Sequence, residues 1–210
     1  MIRIQREISK EVVIRPLDFV PKRIGGFDLS YPRKDIALAV CVVLSYPDLE
    51  LIEMKWTAVK VEMPYIPTFL SFREGPAIEK VYGMIEEKPD LLFFDGQGIA
   101  HPRGAGIASY MALKFHKPSI GVAKSHLFGE YKDPGKLRGD FEYIYSGSEV
   151  IGVVLRTKDN VKPLFVSPGS FVDFKDCAGY TLNSCKGYRL PEPTRLADMY
   201  TKKLRKEMIL

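Results

Sequence analysis

Hydrophobic and polar positions alternate over the first third of the chain, a pattern that predicts β-strands. In residues 24–31 the large apolar side chains occupy every second position, as in a strand with one buried face. Residues 36–45 are almost entirely apolar and predict a fully buried strand, and residues 51–61 predict a third strand. Because short turns separate these segments, we expect them to form an antiparallel meander.

After residue 61 the pattern changes to alternating helical and strand segments. A loop punctuated by proline, PYIPTFLSFREG, precedes a predicted helix near residues 76–87. Residues 91–95 and 119–123 are short apolar runs typical of strands covered on both faces, and residues 104–115 between them predict a helix. A meander followed by this alternation predicts an α/β fold with a mixed sheet.

The last third of the chain predicts a further hairpin and two helices. Residues 124–148 are loop-rich with two short strand pieces, and residues 150–156 and 162–166 are expected to pair. Residues 173–185 predict a helix. The final segment predicts an amphipathic helix, with a proline suited to the first helical position and an apolar stripe at every fourth residue. These residues are Pro193, Leu196, Tyr200, Leu204 and Met208.

Composition favours one globular domain over residues 1–210. The chain has 210 residues, of which 46% are hydrophobic and 27% charged, enough to build a sizeable core. Lys and Arg number 31 against 26 Asp and Glu, a formal net charge of +5. This mild excess permits a polyanionic partner without requiring one.

Cysteine usage and the first residues favour a cytoplasmic location. Cys41, Cys177 and Cys185 are an odd, sparse set that suits a reducing compartment, and no CxxC or Cys/His cluster predicts a zinc site. The opening MIRIQREISK lacks the apolar core of a secretion signal, and no apolar run is long enough to span a bilayer. We therefore expect no membrane partner.

Four carboxylates are candidates for a site. Asp28 lies within the first predicted strand and Asp95 ends the strand of residues 91–95. Glu74 precedes a predicted helix, and Asp198 lies in the opening turns of the last one. Each has an ordinary explanation alone, since Asp-Gly forms turns and acidic side chains suit helix N-termini. If they converged, two charges about 4 Å apart would repel by about 4 kcal/mol at an effective dielectric near 20, so a cation would be needed. Oxygen ligands select hard cations such as Mg²⁺ or Mn²⁺.

Other short motifs do not complete a recognisable site. GQGIAH matches a dinucleotide-binding fingerprint only in part, because His101 stands where the third glycine is needed. GVAKS lacks the full phosphate-binding loop pattern. The three histidines leave a Ser/His/Asp triad conceivable, but no GxSxG motif is present.

Six motifs, taken in order, resemble the endonuclease V family, which nicks nucleic acid near deaminated bases. They are GGFDLSY, PYIPTFLSFRE, FFDGQGIAHPRGAGIAS, SIGVAKS, FVSPGS and LPEPTRLAD, and the resemblance runs from about residue 25 to residue 200. It implies an α/β fold of the ribonuclease H-like class, with a mixed five-stranded β-sheet flanked by α-helices. It also implies Mg²⁺ as the cofactor, with Mn²⁺ as a substitute.

The resemblance implies catalytic roles for five residues of this chain. Asp28 and Asp95 match the family's metal ligands, and Glu74 completes the acidic cluster. Asp198 takes the last catalytic position, where relatives carry His or Asp, and Lys124 matches the lysine beside the scissile phosphate. With a divalent cation, such a set is expected to hydrolyse a phosphodiester.

Recognition residues follow from the same resemblance. The PYIP motif is expected to act as a wedge that fills the space of an extruded base, whereas the residues alone would suggest only a rigid surface loop. The wedge comprises Tyr65, Ile66 and Pro67, the base pocket Leu70, Gly96, Gly98 and Gly121, and the residues that brace the loop or contact phosphate are His101 and Arg103. The chain departs from many relatives at three positions. Many carry glycine in place of Thr68, and many carry histidine in place of Gln97 or Tyr110.

The implied activity is repair of deaminated DNA by a monomeric enzyme. It would recognise deoxyinosine and cut the second phosphodiester bond on the 3′ side of the lesion, leaving 3′-hydroxyl and 5′-phosphate ends. Inosine-containing RNA remains open as a second substrate. Three alternatives also remain open: a branched-DNA or RNA nuclease of the same broad fold, a non-catalytic nucleic-acid binder, and a metal-dependent phosphatase of small molecules.

Overall fold

A computed structural model describes residues 1–209, which fold around one nine-stranded mixed sheet of order β3-β2-β1-β4-β5-β9-β8-β7-β6. The strands are β1 Arg23–Arg33, β2 Ile36–Ser45, β3 Leu51–Lys60, β4 Leu91–Phe94, β5 Ser119–Ala123, β6 Glu130–Tyr131, β7 Phe141–Ser146, β8 Glu149–Leu155 and β9 Leu164–Ser170. The helices are α1 Ile2–Glu11, α2 Leu70–Met84, α3 Ile107–Phe115, α4 Phe174–Asn183 and α5 Glu192–Ile209. Within residues 1–209, no helix combines the length and the apolar composition needed to span a bilayer.

The predicted meander and the alternation after it are both present. Strands β1, β2 and β3 pair antiparallel, and β4 and β5 add to β1 in parallel. Strand β2 is apolar throughout because both of its faces are covered. Ala39 and Cys41 face the core beneath α2 and α3, whereas Val40 and Val42 pack against α5.

The expectation of a five-stranded sheet is wrong, because the sheet has nine strands. The predicted late hairpin forms as β8 and β9, with Val153 opposite Val166. Strand β9 then pairs antiparallel with β5, which would otherwise be an open edge, and β7 and β6 extend the sheet further. An unpaired edge strand offers a row of free backbone groups, so the hairpin completes the hydrogen bonding of β5.

Two helices differ from the sequence prediction. Helix α2 begins at Leu70 and contains Pro76 in its interior, although the prediction placed the helix start at the proline. Burial of Ser71 and the contact of Leu70 with the core outweigh the one helical hydrogen bond that a proline removes. Helix α1 was not predicted, and its one buried side chain is the polar Gln5.

Candidate active site

Two adjacent parallel strands bring the central carboxylates together. Asp28 follows Phe27 in β1, and Asp95 follows Phe94 of β4, and these two phenylalanines are register partners on adjacent parallel strands. Neighbouring strands lie about 4.8 Å apart. Glu74, in the second turn of α2, lines the same small cavity of about 120 Å³ as Asp28 and Asp95.

A second cleft joins this cluster to α5 and to the end of β5. Asp28, Asp95, Lys124 and Asp198 all line it. Lys124 stands immediately after β5 and forms an ion pair with Asp95. Asp198 accepts a hydrogen bond from Lys202 one turn later in α5, at 2.6 Å. The five residues expected to be catalytic therefore lie around one point at the carboxyl ends of β4 and β5.

Burial and neighbouring charges shift the pKa values of three residues in this cluster. Desolvation raises the pKa of Asp28 to about 6, and the charge of Asp95 adds to this shift. A hydrogen bond from Thr201 opposes the shift. Desolvation likewise raises the pKa of Glu74 to about 8, and the nearby carboxylates add to the shift. Burial alone would lower the pKa of Lys124, but the charge of Asp95 and the hydrogen bond to it outweigh that effect and raise the pKa.

This donor set fits a hard divalent cation. Burial raises the pKa of the Asp28 and Glu74 carboxyl groups. The positive charges of Lys124 near Asp28 and of Arg73 near Glu74 offset this only in part, and a bound cation would favour the charged carboxylates. All of the donors are oxygen atoms, as Mg²⁺ and Mn²⁺ prefer. In the described residues, no three Asp, Glu, His or Cys side chains are already spaced to ligate one ion, so binding would require side-chain adjustment.

Two residues that contact the carboxylates were missed from the sequence. The Thr201 hydroxyl, one turn after Asp198 in α5, donates a hydrogen bond to Asp28. The Tyr31 hydroxyl donates to Glu74 at 3.3 Å. The helical spacing of Asp198 and Thr201 placed both on one face and was the available signal. The sequence gives no sign that Tyr31 approaches α2.

A larger pocket of about 340 Å³ opens beside the acidic cluster. Asp95 lines both this pocket and the carboxylate cavity, so the two are contiguous. Tyr65 and Pro67 lie on one side of the pocket and Leu70 and Gly96 also line it. Tyr65 is 66% exposed, so its ring is not a core residue that happens to lie in a loop.

Gly98 and Gly121 lie behind the pocket and do not line it. A Cβ on Gly121 would come within 2.4 Å of the Gly98 nitrogen, and one on Gly98 within 2.0 Å of the Pro168 carbonyl oxygen. Both glycines therefore allow three backbone segments to pack in direct contact. This packing sets the position of the loop that carries Gly96.

His101 and Arg103 are directed at the loop before α2. The His101 ring lines the larger pocket, and its Nε2 lies 3.1 Å from the Thr68 carbonyl oxygen. Arg103 donates hydrogen bonds to the Thr68 carbonyl at 3.3 Å and to its hydroxyl. These contacts link the loop of residues 95–106 to the segment that carries Tyr65.

Comparison with known proteins gives one consistent family. Residues 6–199 match the family model described as Endonuclease V. Endonuclease V of Petrotoga mobilis is 46% identical over 98% of this chain and 92% of its own length. The crystal structure of endonuclease V from Streptomyces avermitilis has a TM-score of 0.92, 34% identity and coverage of 99% of this chain and 92% of its own. Endonuclease V of Ciona intestinalis, in complex with a DNA 24-mer containing an inosine followed by a ribo-adenosine, has a TM-score of 0.86, 26% identity and coverage of 98% and 96%.

Proposed function

This chain belongs to the endonuclease V family, and on that premise we propose that it recognises deoxyinosine in DNA and hydrolyses the second phosphodiester bond 3′ to it. The products would carry 3′-hydroxyl and 5′-phosphate ends. The observation that carries this proposal is the position of Asp95, which lines both the carboxylate cavity and the larger pocket. A lesion and a phosphate two nucleotides apart can thus be held by one continuous surface.

For the chemical step, we propose that Asp28 and Asp95 hold Mg²⁺, or Mn²⁺ in its place, and that Glu74 completes the site. Such a cation supplies positive charge and lowers the pKa of water. Asp198, half-buried on α5, lines the same cleft as Asp28 and Asp95 and would orient or deprotonate the attacking water. Lys124 would exchange its ion pair with Asp95 for the phosphoryl oxygens, where charge grows in the transition state.

For lesion recognition, we propose that Tyr65, Ile66 and Pro67 enter the duplex and that the larger pocket receives the extruded base. Extrusion costs a few kcal/mol, and less for a mispaired base. Stacking on an aromatic ring returns about 1–3 kcal/mol. Gln97 lines this pocket and favours a polar ligand in it, because its Oε1 is buried without a hydrogen-bond partner among residues 1–209. The Ciona complex with inosine-containing DNA points to the same substrate.

Several broader assignments belong to the same proposal. We assign the fold to the ribonuclease H-like class, on the antiparallel β3-β2-β1 meander extended in parallel by β4 and β5. We treat residues 1–210 as one catalytic domain that acts as a monomer, since one lesion requires one site. The three free cysteines suit the reducing cytoplasm. Inosine-containing RNA is proposed as a second substrate.

A duplex with a single deoxyinosine tests the function. The wild-type protein should nick it in Mg²⁺ but not in EDTA, and should leave the matched undamaged duplex intact. Asp95→Asn should abolish nicking and preserve binding, because it removes a ligand without removing the wedge. Nicking by Asp95→Asn at the wild-type rate would overturn the site assignment. Preference for a branched or undamaged competitor would instead favour the alternative nuclease.

A further inference from the structure

The loop that carries Tyr65 ends in an unusual backbone conformation. Thr68 has a φ of 69°, in the left-handed region that a β-branched residue rarely adopts. Such a conformation persists only where the surrounding structure holds it. The contacts of Thr68 therefore determine how Tyr65, Ile66 and Pro67 are presented.

Three donors converge on the Thr68 carbonyl oxygen. Gln5 Nε2 donates at 2.6 Å and Arg103 Nη2 at 3.3 Å, and His101 Nε2 lies at 3.1 Å. The Arg103 backbone N–H donates to His101 Nδ1 at 3.2 Å, so the ring proton belongs on Nε2 and points at the carbonyl. Burial lowers the pKa of His101 to about 4, which keeps this neutral form at physiological pH.

Gln5 also positions the Arg103 side chain. The Gln5 side-chain oxygen accepts a hydrogen bond from Arg103 Nε at 2.6 Å, while the Arg103 guanidinium lies over the Phe69 ring at 4.8 Å. Gln5 is only 1% exposed, although it belongs to a helix whose other side chains are largely exposed. One amide thus joins α1 to both the Thr68 loop and the loop of residues 95–106.

The body of the protein holds α1 in place. Gly104, at a φ of 63°, lies so close to α1 that a Cβ would come within 2.6 Å of the Ser9 hydroxyl. Beyond the helix, Val13 N donates to the Ser170 hydroxyl at 2.9 Å and Leu17 N to Asp176 at 2.7 Å. The helix that carries Gln5 is therefore fixed to the rest of the protein.

We propose that Gln5 is a positioning residue, which locks the Thr68 loop over the base pocket and thereby sets the discrimination between deoxyinosine-containing and undamaged DNA. This inference rests on the proposed function, in which residues 65–67 form the wedge. Gln5 touches neither the carboxylates nor the pocket, so its loss should weaken lesion recognition and leave the chemical step intact.

Three variants test the inference. Gln5→Leu removes both side-chain hydrogen bonds. Gln5→Glu keeps an acceptor for Arg103 but loses the donor to the Thr68 carbonyl. Glu11→Ala, at an exposed position of the same helix, is the control. Amide hydrogen exchange of Phe69, whose N–H bonds to the Ile66 carbonyl, reports on the loop in the free protein.

In both Gln5 variants we expect Phe69 exchange to accelerate by about tenfold, and the ratio of affinities for inosine and undamaged duplexes to fall by about tenfold. The single-turnover cutting rate at saturating enzyme should stay within about twofold of wild type, since the carboxylates and Lys124 are untouched. Glu11→Ala should match wild type in all three measurements.

The inference is overturned if Phe69 exchange is unchanged, if exchange rises while discrimination stays at the wild-type value, or if cutting rate and affinity fall together. The inference would also be overturned if Gln5→Glu behaved like wild type while Gln5→Leu was defective. The hydrogen bond that Gln5 donates to the Thr68 carbonyl would then be irrelevant. A wild-type protein that does not prefer the inosine duplex would refute the proposed function, while the exchange measurement would still judge the loop contact.

Discussion

At the scale of single residues, burial outweighs the nearby positive charges at two carboxylates of the site. Lys124 pairs with Asp95, and Asp28 and Glu74 are left with raised pKa values because burial disfavours their charged forms. We propose two roles for this lysine that exclude each other in time. It compensates Asp95 in the free protein, and it would be available to a phosphate once a cation took its place.

Lys124→Met tests the second role. The single-turnover cutting rate on an inosine duplex should fall by about 10²–10³-fold, the loss typical of one donor to a charge that develops in the transition state. Duplex affinity, measured by fluorescence anisotropy, should change far less. Lys114→Met is the matched control, because Lys114 forms only an exposed ion pair with Glu79 at 3.2 Å. Equal losses of rate and affinity would show that Lys124 acts in ground-state binding.

At the scale of elements, α5 contributes to the site because it crosses β1 in direct backbone contact. A Cβ at Gly26 would lie 2.2 Å from the carbonyl carbon and oxygen of Pro193. This approach places Asp198 and Thr201 over the strand that carries Asp28. The glycine in β1 is thus required for a contact that the helix needs in order to reach the carboxylates.

Gly26→Ala should separate α5 from β1. The free energy of unfolding in urea should fall by about 1–3 kcal/mol, as in other overpacked cores, and cutting should fall because Asp198 and Thr201 are displaced. Gly83→Ala is the control, since a Cβ there meets no atom within 4 Å and lies in α2. It should raise stability by about 0.5–1 kcal/mol. Unchanged stability in Gly26→Ala would contradict the close helix contact.

At the scale of the whole molecule, we expect the carboxylate cluster to couple folding to pH and to divalent cations. In the folded protein the pKa of Asp28 is raised from 3.8 to about 6 and that of Glu74 from 4.5 to about 8. Between pH 4 and pH 8 the folded state therefore holds more protons than the unfolded state at these two groups. Their contribution to stability is present at low pH and is lost as the pH rises through the folded values.

Without divalent cations, the Tm of the wild-type protein should fall between pH 5 and pH 8 relative to an Asp28→Asn, Glu74→Gln double variant. Mg²⁺ at 100 times its Kd contributes about 2.7 kcal/mol, roughly 5–10 °C of Tm for a chain of this size. At one fixed Mg²⁺ concentration the rise should be larger at pH 8 than at pH 5, because more of the two carboxyl groups are charged at pH 8, and it should be absent in the double variant. Scanning calorimetry would make the comparison, and an equal rise in both proteins would refute the assignment.

The sequence by itself determined the family, the acidic chemistry and most strands and helices, because periodicity and side-chain type are local properties. It also placed Asp28 within the first strand and Asp95 at the end of the strand of residues 91–95. It did not reveal that β9 pairs with β5 and extends the sheet to nine strands. Pairing at an edge depends on what else is available to cover it, which no local pattern records.

Only the tertiary structure decided which distant residues meet. Thr201 contacts Asp28 across 173 positions of the chain, and Gln5 contacts Thr68 across 63 positions. A buried glutamine in a helix whose other side chains are largely exposed has no sequence signature, because its role depends on the two partners that packing brings to it. The sequence gives the chemical type of each side chain, whereas the neighbours of that side chain depend on how the whole chain packs.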